Sequence, residues 1–252
     1  RSGFTAASQI LEGEKGFCRA MVAKPHLEKL SERLSYDHLK IDNNSFKPYA
    51  CCKHSHAALY ALQTLRAEKG LTPDQIDRVE VRVNEITNYL INNENPKTPY
   101  GCKFSLQYCC AAMLVKGVVG IEEFTAQAIA DPVVNDLMRR VSVVLDKREE
   151  AIHQADPSKL ASTVRITLTD GTVLTRHVDY PKGDPDNPLS WEEAKDKFMH
   201  LAVPVLGQAT SDNLYQLILH LEDADDFATA LTEALRPSLL QRPQPYRKSI
   251  PA

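Results

Sequence analysis

The sequence predicts an α+β lobe set between helical segments, on three observations. Runs that alternate apolar and charged residues cluster between Phe46 and Tyr180. Segments with helix capping and stop signals lie on both sides of them, and an Asp-Gly pair joins two of the alternating runs. At 252 residues, 43% hydrophobic and 25% charged, the chain can bury a core without disulfides or metals.

Taken in order, Thr5 is placed to cap a short helical turn through Leu11. Gly13 and Gly16 interrupt it, and residues 25–34 carry Leu27, Leu30 and Leu34 on a second helical piece. Pieces this short need another surface to pack on. The chain opens at Arg1-Ser2-Gly3 with no initiator Met, signal peptide or transit-like helix, so it reads as a stretch of a longer chain whose upstream part supplies that surface.

Beyond the polar run from Asp42 to Ser45, Pro48 makes residues 46–52 an extended lead-in. A helix is expected over 55–69, stopped by Gly70, and residues 76–83 end in the period-two alternation of a half-buried strand. Residues 104–116, rich in small and apolar side chains and closed by Gly117, predict a buried helix. Its small residues suit either the core or a homodimer face. A helix over 132–140 begins with Pro132, where the missing N–H does no harm, and 141–145 returns to strand.

The clearest hairpin pairs 163–168 with 173–178 through Asp170-Gly171. Residues 181–188, with Gly183 among prolines and acids, read as a linker. Ser190 and Glu193 form a capping box, residues 190–235 predict two or three helices, and 236–252 is a Pro-rich tail. The resulting partition is helical over 1–43, α+β over 44–182, helical again over 183–236, and tail over 237–252.

The 30 basic and 33 acidic residues, net charge −3, are spread along the chain, so no basic stripe suits nucleic acid. No apolar run approaches the roughly 20 residues of a membrane span. The six cysteines (Cys18, Cys51, Cys52, Cys102, Cys109, Cys110) include no C-x-x-C spacing. They read as reduced, mostly buried thiols in a cytoplasmic compartment, with no metal site.

Chemistry concentrates in two loops. Residues 47–56 place Lys47, Tyr49, Cys51, Cys52, Lys53, His54 and His56 at a helix start, where backbone N–H groups and the helix dipole favour anions such as carboxylates. The bland alternative is that the lysines are solvated and a histidine caps or packs. A second loop, Gly101 to Tyr108, again sets a lysine, a hydroxyl and a phenol (Lys103, Ser105, Tyr108) before an apolar helix. Converging on one anion, the two loops would form a cationic cup.

Several motifs in order resemble the MmgE/PrpD family: Gly3-Phe4-Thr5 with Leu11-Glu12-Gly13 and Gly16-Phe17, then Phe46-Lys47-Pro48-Tyr49 with His56-Ala57-Ala58. Lys103 through Tyr108, Asp131-Pro132-Val133, the Asp170-Gly171 hairpin, and Gly183-Asp184-Pro185 with Pro188-Leu189-Ser190 continue the pattern to about Leu206. The resemblance implies a large all-α domain, built from both chain ends with its N-terminal part missing here, and a smaller lid-like α+β lobe.

It also implies a cofactor-free and metal-independent enzyme acting on a small di- or tricarboxylate, as in 2-methylcitrate dehydratase, cis-aconitate decarboxylase and iminodisuccinate epimerase. Lys47, His56 and Tyr108 take the positions of the family's active-site lysine, histidine and tyrosine, with Lys103, Ser105 and Cys52 as substrate contacts. Cys52 stands where decarboxylase members carry histidine, which favours a dehydratase-like hydro-lyase of propionate metabolism, cytoplasmic and homodimeric. The rival expectation is a non-catalytic or split-enzyme module that needs the N-terminal helical half.

Overall fold

The protein is described here by a computed structural model that covers residues 7–30, 32 and 39–241. The expected Thr5 cap, the Gly3-Phe4-Thr5 motif, residues 31 and 33–34 of the second helical piece, and tail residues 242–252 lie outside the described residues. The chain divides into two compact units, residues 1–44 and 45–252.

In the first unit, turns occupy residues 8–16 where a helix through Leu11 was expected. The short helix α1 (Phe17–Met21) starts only after Gly16, and 3-10 turns follow at Leu27–Leu30 and Lys40–Asn43. Two glycines three residues apart leave too little chain between them to nucleate a helix. Phe17, Met21 and Val22 are exposed.

The second unit is α+β. Its four-stranded sheet has the order β2-β1-β3-β4, with β1 (Ile76–Val83), β2 (Val141–Leu145), β3 (Ser162–Leu168) and β4 (Val173–Val178). β1 runs parallel to β2 and antiparallel to β3, and β3 and β4 form the predicted hairpin. Alternation sets the register. Val79 lies opposite Ile166 and Val81 opposite Val164, so all four fully buried side chains share one face.

That face is covered by α2 (His56–Lys69) and α5 (Leu106–Lys116), which also pack on each other. α5 is buried nearly all round, from Leu106 to Leu114. Its small side chains are core, and so much of it is enclosed that it offers little surface to a second copy. α6 (Pro132–Met138) lies against α5, its Pro at the first turn and Asp131 capping it.

On the sheet's polar face, α7 (Lys147–Ala155) carries the buried Glu149, which accepts from Thr163 Oγ1 at 2.6 Å, with His177 Nδ1 3.3 Å away. α7, α3 (Glu85–Ile91) and the short α4 (Pro99–Cys102) were not anticipated, although Asn84, Thr98 and Asp146 cap them through their side chains.

After the sheet come α8 (Trp191–Leu206), α9 (Gln208–Leu219) and α10 (Phe227–Gln241), with the Ser190–Glu193 capping box in place. α10 therefore carries helix into the expected tail as far as Gln241. Residues 181–188 are not a free linker. Phe46 N–H donates to Gly183 O at 2.8 Å, and the buried Asp184 carboxylate receives Ser45 Oγ at 2.5 Å and Lys53 Nζ at 2.5 Å. Composition marks such a stretch as loop, but its ends are tied down by polar partners far away in sequence.

Candidate active site

Residues 45–52 cross the surface of the second unit as an irregular segment held by its backbone. Besides the bond at Phe46, Ala50 N–H donates to Val119 O at 2.9 Å and Cys52 N–H to Lys103 O at 3.0 Å. The last of these joins the two lysine-bearing loops directly. Tyr49 is buried and its hydroxyl donates to Gln63 Oε1 of α2 at 2.7 Å, anchoring the segment to the core. The Lys103 loop is shaped by Thr98, whose Oγ1 accepts from Gly101 N–H at 3.0 Å.

Between these loops and α8 lies a cavity of about 830 Å³, within the range of small-molecule sites of roughly 300–1,000 Å³. Tyr100, Phe104, Val118, Ile121 and Leu201 give it apolar walls, and Lys47, Lys103 and Lys197 line it with one acidic residue, Asp196, among the described residues. Lys47 Nζ reaches Cys51 O at 3.4 Å, and Lys103 Nζ sits over the Phe124 ring at 5.2 Å. Lys197 Nζ donates to the main-chain carbonyl of Lys47. Partial burial, and then the neighbouring Lys47 charge, lower the Lys197 pKa below the ordinary lysine value. His200 Nε2, on the same helix, donates to Glu122 Oε2 at 3.1 Å.

Of the residues singled out in the sequence, the cavity gathers Lys47, Lys103 and Cys52. His56, Ser105 and Tyr108, expected to act with them, are not among the residues that line it. His56 is 1% exposed, edge-on to Tyr49 with ring centroids 5.1 Å apart, and its Nε2 has no hydrogen-bond partner among the described residues. It lies in the core because the first turn of α2 points inward, along with Ala57 and Ala58.

Ser105 uses its hydroxyl structurally, accepting from Tyr108 N–H at 3.2 Å and donating to Asn93 O at 2.6 Å. Tyr108 is 1% exposed and donates to Glu123 O at 2.5 Å, and burial pushes its phenol above the ordinary value. Both belong to a helix start followed by residues buried as far as Leu114, which turns polar groups there into internal caps.

Cys51 also lines the cavity. Its neighbours Cys109, His56 and Ser55 hold its thiol below the ordinary value against the opposing effect of burial. The residues missed in the sequence are Lys197 and His200. The signal was the spacing of Asp196, Lys197, His200 and Leu201, which places one stripe of α8 at the cavity.

Residues 49–223 match the family model of the MmgE/PrpD C-terminal domain. The chain is 28% identical to a cis-aconitate decarboxylase of Homo sapiens over 248 residues, 94% of this chain and 49% of that protein. It is 30% identical to a mitochondrial 2-methylcitrate dehydratase of Yarrowia lipolytica over 136 residues, 52% of this chain and 26% of that protein. A cis-aconitate decarboxylase of Aspergillus terreus is 26% identical over 198 residues, covering 73% of this chain and 39% of that protein. The chain spans about half the length or less of these curated relatives.

Proposed function

This chain belongs to the MmgE/PrpD family, and on that premise we propose that it supplies the carboxylate-binding wall of a lyase for a small di- or tricarboxylate. The observation that carries the reading is the grouping of Lys47, Lys103 and Lys197 around one largely apolar cavity. In such surroundings an ammonium group interacts with a carboxylate far more strongly than it does in open water.

The chemistry this arrangement serves is removal of a proton from the carbon next to a carboxylate. As the C–H bond breaks, its electron pair moves onto that carboxylate, and fixed ammonium groups stabilise the extra charge without reorganising. In dehydration, collapse of this species expels the β-hydroxyl, which leaves as water after taking up a proton. His56 and Tyr108 support the wall from behind: His56 packs against Tyr49, and Tyr108 ties α5 to the Glu123 backbone. The proton acceptor is assigned to the remainder of the longer family enzyme, facing the open side of the cavity.

Cys52, at the cavity surface, favours dehydration of a 2-methylcitrate-like substrate. Decarboxylation of a cis-aconitate-like substrate is the second reading, favoured by the human relative that aligns with 94% of the chain. Two measurements test the proposal. The chain alone should be thermally stabilised by citrate, 2-methylcitrate and cis-aconitate, and Lys47→Met should weaken that binding about tenfold, roughly 1.4 kcal/mol. Unchanged affinity in Lys47→Met would sink the reading. Joined to a helical N-terminal half, the chain should release water from 2-methylcitrate; carbon dioxide release from cis-aconitate instead would select the second reading.

A further inference from the structure

Lys197 comes from a different element than the two loops that carry Lys47 and Lys103. Those loops are joined by the Cys52 N–H to Lys103 O bond, whereas Lys197 projects from the first half of α8 and reaches the Lys47 carbonyl from there. Among the described residues no ion pair involves Lys47, Lys103 or Lys197, although 15 other pairs are formed. Like charges around one cavity disfavour one another, and the Lys197 pKa is lowered first by burial and then by the charge of Lys47. Such an arrangement is relieved by an anion with several negative groups.

We infer that Lys197 is a specificity-determining residue: the two loop lysines engage two carboxylates of the substrate, and Lys197 adds the contact that distinguishes a tricarboxylate from a dicarboxylate. The inference rests on the carboxylate-binding reading of the cavity and deepens it by assigning each cation a share of the ligand. Because Lys197 is anchored through a main-chain carbonyl and not through an acid, its ammonium keeps donors free for a ligand. The His200–Glu122 pair one turn further along α8 closes the same side of the cavity by bridging to the loop before Glu123.

The test is calorimetric titration of the chain with tricarballylate and with glutarate, which differ by one carboxylate. Lys197→Met should weaken tricarballylate binding about tenfold, as expected for loss of one charge-assisted contact, and change glutarate binding less than about twofold. Lys197→Arg should restore most of the preference, which a merely structural role would not require. Equal weakening of both ligands, or no weakening of either, overturns the inference. Lys47→Met separates the two levels: it should weaken both ligands alike. If the unsubstituted chain binds neither acid, the carboxylate-binding reading fails and this inference with it.

Discussion

Two buried phenols make the fold sensitive to alkali. Burial raises the pKa of both Tyr49 and Tyr108 above the ordinary value of 10.0, and each hydroxyl donates to an internal acceptor, Gln63 Oε1 or Glu123 O. A folded-state pKa above the unfolded one means the stabilisation is complete below the ordinary phenol pKa. It is lost as pH rises from there toward the folded value. The melting temperature should therefore hold from neutrality to about pH 9 and fall above about pH 10. Tyr108→Phe should flatten that fall while costing about 1–2 kcal/mol at pH 7, because the Glu123 carbonyl loses its donor. An alkaline melting curve with the same slope in Tyr108→Phe would refute this account. Residue identity was legible at these positions, but direction was not: Tyr108 was expected as a catalytic residue and Ser105 as a substrate contact, and the sequence did not show that both side chains are buried at the start of α5.

At the scale of elements, the contrast between two glycines measures how firmly the lysine loop is held. Gly171 has φ 85° in the hairpin turn with open space where a Cβ would stand, so Gly171→Ala should cost about 1 kcal/mol of backbone strain. Gly183 has φ 92°, and a Cβ there would overlap the Phe46 carbonyl oxygen. Gly183→Ala should cost about 2–4 kcal/mol in urea unfolding and also weaken polycarboxylate binding, since residues 46–47 must move aside. Similar losses in the two variants, with binding untouched, would contradict the view that residues 183–184 position the site. The β1 strand, the hairpin, α2, α5 and the Ser190 cap were readable because periodicity and caps agree there. α3 and α7 were not, since α3 is only seven residues long and α7 has few apolar residues, and the 181–188 segment was misread because composition says nothing of distant partners.

For the molecule as a whole, the sheet and the two helices on its apolar face form the most protected structure. The buried pairs Val79–Ile166 and Val81–Val164 lie on the two central strands, so their amides should exchange with deuterium slowest, near the global unfolding limit. α8 and α10 bury no described side chain fully and should exchange orders of magnitude faster. Addition of a tricarboxylate should slow exchange selectively in the first half of α8. Uniform protection across the second unit would argue against this ordering. The architecture was thus visible in the sequence at the level of class and strand order along the chain. The cavity was not, because it joins residues 47, 103 and 197, whose proximity only tertiary packing establishes.

The bond from Cys52 N–H to Lys103 O involves no side chain, so no exchange of one amino acid for another, save for proline at position 52, removes it. The floor of the cup is consequently indifferent to which functional group stands at 52, and mutation can trade thiol for imidazole there while the frame around it keeps its shape. A scaffold of that kind lets new reactions be tried at low structural risk, by chance or by an engineer's choice, with position 52 as the natural place to begin.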